Sequence, residues 1–190
     1  MHRTSETSKQ QKSTVTLREL QAQFARAKLR FPDLEPEDIR IPKRKQGFEI
    51  TNDIYISHYI PSFQREFLQK HQIKALICLS GHHNSSKAED LGVRAIFSVN
   101  MPDGEGTTPE MIRSYTQKLN DFVTKYGRTL VFCQAGQSRS PSLVAAYLAR
   151  YRNMGLESAL ELVREARAPE RGVIYWPATL TAIGEALEEV

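Results

Sequence analysis

The chain has 190 residues, 40% of them apolar and 25% charged, which suits one globular domain with a tail to spare. No run approaches the about 18 apolar residues of a transmembrane helix, the N-terminus is polar where a secretory signal would be apolar, and Cys78 and Cys133 are too few for a disulfide framework or a four-thiolate metal site. The net charge of +4 is uneven: residues 1–48 hold 11 Lys and Arg against 6 Asp and Glu, and residues 49–190 hold 15 against 16, so any pull on nucleic acid or an anionic membrane belongs to the N-terminal segment. A soluble, cytoplasmic protein with reduced cysteines is expected.

Residues 1–14 are polar and offer little to bury, so disorder is expected there. A helix is predicted over about 16–31, with Thr16 and Glu19 as a capping box and Leu17, Leu20, Phe24, Ala27 and Phe31 on one face. Because the pattern stops at Pro32, this helix is expected to dock on the main domain or a partner in preference to a coiled coil; a membrane-surface helix is the weaker alternative. Residues 32–46 read as a linker, giving a basic tail at 1–46 and a main domain at 47–190.

Within that domain, β-rich runs at 54–57, 75–79, 95–99 and 129–132 alternate with helical patterns at 61–71 and 109–126, the second capped by Thr108 with Pro109 in its first turn. Helices alone follow, at 141–152, 156–167 and 176–189. Strands joined by helical crossovers predict a three-layer α/β fold: a mainly parallel central sheet of four to five strands flanked by helices, with ligands at the carboxyl ends of the strands.

The segment Leu130-Val131-Phe132-Cys133-Gln134-Ala135-Gly136-Gln137-Ser138-Arg139-Ser140-Pro141 runs from an apolar strand into a helix. A short loop entering a helix aims backbone N–H groups and the positive end of the helix dipole at one spot, so residues 134–138 form a candidate phosphate cradle. Gly136 permits the turn, and Arg139 presents a planar fork matched to two phosphate oxygens. The same surroundings favour a thiolate at Cys133, and Ser140 can hydrogen-bond the sulfur. Taken singly, Cys133 reads as a buried strand-end thiol and Arg139 as half of a surface ion pair; together with Gly136 and Ser140 they read as a nucleophile and its phosphate clamp.

The pattern Cys133-x-Ala-Gly-x-Ser-Arg-Ser140-Pro resembles the signature loop of the protein-tyrosine phosphatase superfamily, in the form used by dual-specificity phosphatases. Asn52-Asp53-Ile54-Tyr55-Ile56-Ser57, Ile73-Lys74-Ala75-Leu76-Ile77-Cys78-Leu79-Ser80 and residues 142–167 resemble the start and close of that catalytic domain. The resemblance implies the cysteine-phosphatase fold, a phosphocysteine intermediate, no cofactor and no metal. It also implies a general acid from a mobile loop after an earlier strand, which assigns the role to Asp103 in Pro102-Asp103-Gly104, with Glu105 and Asp90 as fallbacks and an ordinary turn residue as the plainer alternative. The chain departs from the family at Phe132, where histidine is usual.

Cys78 reads first as a core side chain, with a reversible disulfide to Cys133 as the alternative. His82 and His83 read as loop residues and Trp176 as a packing anchor more than a substrate platform. The expected activity is hydrolysis of phosphotyrosine and phosphoserine/threonine in proteins or peptides, since Gln134 and Gln137 are neutral where lysines would favour phosphoinositides. The alternatives are an RNA 5′-phosphatase or another non-protein phosphoester hydrolase, for which a near-neutral domain gives no special support, a weakly active phosphate-binding module, and a rhodanese-like persulfide carrier.

Overall fold

A computed structural model of the chain describes residues 47–59, 62, 64–81, 87–167 and 172–188. The expected tail at 1–46, with its helix and linker, lies outside the described residues, as do His82 and His83. Five strands form one sheet: β1 (Gly47–Thr51), β2 (Ile54–His58), β3 (Ala75–Cys78), β4 (Ala95–Ser98) and β5 (Thr129–Cys133), in the order β1-β2-β5-β3-β4. β1 runs antiparallel to β2, and β2, β5, β3 and β4 are mutually parallel, so the expected mainly parallel sheet is present. β1 is a strand the apolar runs do not mark, because it carries only Phe48 and Ile50 on its buried side, just before the Asn52-Asp53 turn into β2.

Alternation along the strands divides the core between the two faces of the sheet. Ile54 and Ile56 of β2, Ile77 of β3, and Val131 and Cys133 of β5 pack under α3 (Pro109–Tyr126), α4 (Arg139–Tyr151), α5 (Leu156–Arg167) and α6 (Pro177–Glu188). Tyr55, Leu76, Cys78, Leu130 and Phe132 pack on the opposite face against Phe67 and Leu68 of α1 (Arg65–Lys70) and Leu91 of α2 (Ala88–Leu91). β5 is buried along its whole length, as a central strand covered on both faces must be. Truncating a fully buried leucine such as Leu119 or Leu143 to alanine is expected to cost about 2–5 kcal/mol.

Local signals set the helix limits. Thr108 accepts a hydrogen bond from the Met111 N–H with Pro109 in the first turn, and α2, which the sequence reading passes over, stops where Gly92 takes the left-handed conformation at φ +71°. α4 begins two residues before the predicted start, since Pro141 fits a first turn whose N–H groups have no helical partner. α4 lies between α3 and α5 with Ser140 through Leu148 buried, so the helix that starts at the signature loop is also the centre of its layer. Among the described residues no helix is long and apolar enough to cross a membrane.

Candidate active site

Because four strands are parallel, the segments following β2, β3, β4 and β5 all leave from the same edge of the sheet. Cys133 is the last residue of β5 and is 2% exposed. Its sulfur lies 3.4 Å from the Ser140 Oγ, so the hydroxyl is within reach of a hydrogen bond to sulfur. Loop 134–138 then leads into α4, and the Ser142 N–H donates to the Ser138 carbonyl at 2.9 Å as the first turn closes.

The loop rests on the end of β2. Gly136 has φ +64°, and a Cβ there would lie 2.7 Å from the Ser57 carbonyl oxygen and 2.9 Å from the His58 nitrogen, so the contact needs glycine for space as well as for conformation. The Tyr59 N–H reaches the Gln134 carbonyl at 3.4 Å. On the other side the Ile174 N–H donates to the Gln137 carbonyl at 2.8 Å, and the Gln137 side-chain amide donates to the Gly172 carbonyl at 3.2 Å. The Gln137 side chain is thus committed to a tie with segment 172–176, which sequence spacing does not signal.

Arg139, the first residue of α4, points its fork across the edge: one terminal nitrogen donates to the carbonyls of Leu79, at 3.4 Å, and Met101, at 3.3 Å. Its Nε lies 3.5 Å from Asp103 Oδ2, yet this buried N–H makes no hydrogen bond, so the pair is an ion pair of poor alignment. Asp103 is 49% exposed on its side chain against 12% for Arg139. The geometry therefore brings Cys133, Ser140, Arg139 and Asp103 to one corner of the sheet. Of the fallback acids, Glu105 is exposed on the same loop and lines a cavity with Asp103, whereas Asp90 is exposed on α2, on the far face.

Phe132 is fully buried on the face opposite Cys133, among Tyr55, Leu76 and Leu130, so this position contributes apolar packing where the resemblance leads one to expect an imidazole. Cys78 pairs across the sheet with Phe132 and shares its face, with its sulfur 3.8 Å from Ser80 Oγ. The two side chains leave neighbouring strands on opposite faces of the sheet, so a Cys78–Cys133 disulfide, the alternative use of Cys78, would require β3 or β5 to rearrange locally. Among the described residues no group of three or more His, Cys, Asp or Glu is arranged to hold a metal ion.

A family model described as the dual specificity phosphatase catalytic domain matches residues 54–174. Dual specificity protein phosphatase 18 of Pongo abelii is 28% identical over 132 residues, covering 70% of this chain and 69% of its own. Human dual specificity protein phosphatase 5 is 30% identical over 133 residues, covering 67% of this chain and 33% of its own. Among solved structures, human DUSP28 aligns with a TM-score of 0.62 at 18% identity over 75% of this chain and 96% of that one, a likeness of fold. A match that spans more than half of the chain and includes the strand, loop and helix around Cys133 and Arg139 shows that this protein belongs to the dual specificity phosphatases, a family of cysteine-dependent protein phosphatases.

Proposed function

We propose that residues 47–190 form a catalytic unit that hydrolyses phosphotyrosine and phosphoserine/threonine in proteins or peptides through a phosphocysteine intermediate. The observation that carries this reading is the convergence of the Cys133 sulfur, the Ser140 hydroxyl, an Arg139 fork whose Nε proton makes no hydrogen bond and the Asp103 carboxyl at the carboxyl edge of the sheet. In the first step the Cys133 thiolate forms the S–P bond as the P–O bond to the leaving group breaks, and Asp103 gives that oxygen its proton. Arg139 and the N–H groups of residues 134–138, at the positive end of the α4 dipole, hold the non-bridging oxygens. In the second step Asp103, now a carboxylate, takes a proton from the attacking water. The S–P bond breaks, phosphate leaves, and the Ser140 hydroxyl stabilises the departing thiolate.

Arg139 faces Asp103 through a poorly aligned ion pair, so a phosphate group competes with the Asp103 carboxylate for the guanidinium. We place the enzyme in the cytoplasm, where a reducing environment keeps the nucleophile as a thiol. Phe132 favours a second reading, a phosphate-binding module with little turnover, because the residue before the nucleophile packs in the core where the family usually has histidine.

Hydrolysis of p-nitrophenyl and phenyl phosphate separates the two. Under the enzymatic reading the wild type turns over, is inhibited by vanadate and resists chelators. Cys133→Ser then loses about 10⁴-fold or more, and Asp103→Asn loses roughly 10²-fold or more on phenyl phosphate. A wild type that binds vanadate or phosphopeptide tightly but forms no product establishes the binding module instead.

A further inference from the structure

Segment 172–176 lies between α5 and α6 and touches both halves of the candidate site. At its start it is bonded to the phosphate loop, through the Gln137 amide to the Gly172 carbonyl and the Ile174 N–H to the Gln137 carbonyl. In its middle the Tyr175 hydroxyl donates to the Leu160 carbonyl of α5 at 2.8 Å while the Arg164 guanidinium lies over its ring at 5.4 Å. At its end Trp176 reaches the acid loop: a Cβ on Gly104 would sit 3.1 Å from the indole Cγ and 3.3 Å from Cδ1. Trp176 is nevertheless 42% exposed, so this ring is not a core residue that happens to brush the loop. It stands with Asp103, Gly104, Glu105, Pro177 and Ala178 around a cavity of about 600 Å³.

A tryptophan left 42% exposed beside an exposed carboxylate is not used for core packing alone, and its ring lies closely against the residue after Asp103. We propose that segment 172–176 is a strap that sets the distance between the phosphate loop and the acid loop, with Trp176 as the positioning residue for Asp103. The ring supplies a stop against Gly104 and fixes how far the loop descends. The ties of Gly172 and Ile174 to Gln137 reference that stop to the loop holding the phosphorus. A proton donor misplaced by an ångström loses much of its effect, so an indole that never touches substrate still controls proton delivery. Gly104, at φ +101°, lets the backbone lie flat against the ring, and any side chain there would push the carboxyl away.

This inference rests on Asp103 being the general acid, and its test exploits leaving-group dependence. Phenol departs with a pKa of about 10, like a tyrosine side chain, and needs the acid; p-nitrophenol is more acidic and needs it less. The kcat and kcat/KM of both aryl phosphates are measured for wild type, Asp103→Asn, Trp176→Ala, Trp176→Phe, Gly104→Ala and the double variant Asp103→Asn/Trp176→Ala. Vanadate inhibition reports whether the phosphate loop is intact. The expected result is a loss of about tenfold on phenyl phosphate for Trp176→Ala and Gly104→Ala, within about threefold on p-nitrophenyl phosphate, with vanadate inhibition unchanged and most of the loss restored by Trp176→Phe. In the Asp103→Asn background Trp176→Ala then costs less than about twofold more, because both changes remove the same proton transfer.

Equal losses on both substrates, full additivity in the double variant, or an unchanged rate on both aryl phosphates would each overturn the proposal. If Asp103→Asn itself shows no leaving-group-dependent loss, the acid assignment falls and the strap with it. If Asp103→Asn shows that loss and Trp176→Ala does not, the strap alone falls.

Discussion

Loop 134–138 is wedged against the end of β2 at Gly136, bonded through Gln134 and Gln137 to its neighbours on either side, and continuous with a buried strand and a buried helix. Loop 102–106 carries an exposed Asp103 and Glu105, lies against one half-exposed indole, and faces Arg139 through an ion pair without a proper hydrogen bond. The contrast matches the two roles proposed for these loops. A nucleophile gains from a site that does not reorganise, since its stabilising dipoles must already be in place. An acid that gives up a proton and later takes one from water has to be reachable from solvent and adjustable in position.

Several changes would break or sharpen that contrast. The largest effect is expected from Gly136→Ala, which sets a Cβ against the Ser57 carbonyl in a left-handed conformation. The loop must shift, so turnover should fall by roughly 10²-fold or more and vanadate inhibition should weaken in parallel. A fully active variant would show that the wedge is not what holds the loop. Ser140→Ala should lower turnover by about tenfold on phenyl and p-nitrophenyl phosphate alike, the opposite signature to an acid-loop change, because the hydroxyl acts on sulfur and not on the leaving oxygen.

The rigid side extends to the far end of α4, where Arg152 donates to the Tyr147 hydroxyl at 2.9 Å and pairs with Asp53 in the turn between β1 and β2. Burial, the largest single influence on Asp53, raises its pKa, but hydrogen bonds from Thr51 and Arg152 with the Arg152 charge outweigh it and hold the carboxyl below its ordinary value. A depressed carboxyl adds stability above its unfolded pKa of about 4 and loses it as pH falls through the folded value. Asp53→Asn should therefore lower Tm at neutral pH and narrow its gap to wild type on acidification below about pH 4, while the ratio of activities on the two aryl phosphates stays unchanged.

Smallest is Tyr175→Phe, which removes the hydroxyl that ties segment 172–176 to α5. Burial, only partly offset by Arg164, pushes that phenol up to about 12, so the donor is intact across the working range. The loss of stability should be about 1 kcal/mol, read by denaturant unfolding.

What was legible in the sequence was what is local. The strand-loop-helix around Cys133 reads clearly because a run of buried residues, a turn glycine and a helix start lie within a dozen positions, and α3 announces itself through Thr108 and Pro109. β1 did not, since two apolar residues on a hairpin next to a turn make no periodic signal. The separation of Cys78 from Cys133 depends on which way each strand is pleated, and the contact of Trp176 with Gly104 joins positions far apart in the chain. Such facts are tertiary and become visible only when the sheet is assembled.

The placement of the two thiols on opposite faces of the sheet bears on how the enzyme meets peroxide. A sulfenic acid formed on Cys133 reaches Cys78, the only other cysteine in this sequence, only if β3 or β5 shifts locally to bring the two faces together. Without that shift, protection against further oxidation to the sulfinic state passes to a neighbouring backbone nitrogen or to a thiol arriving from solution. Recovery from an oxidant pulse becomes a property of the surrounding thiol pool as much as of the protein.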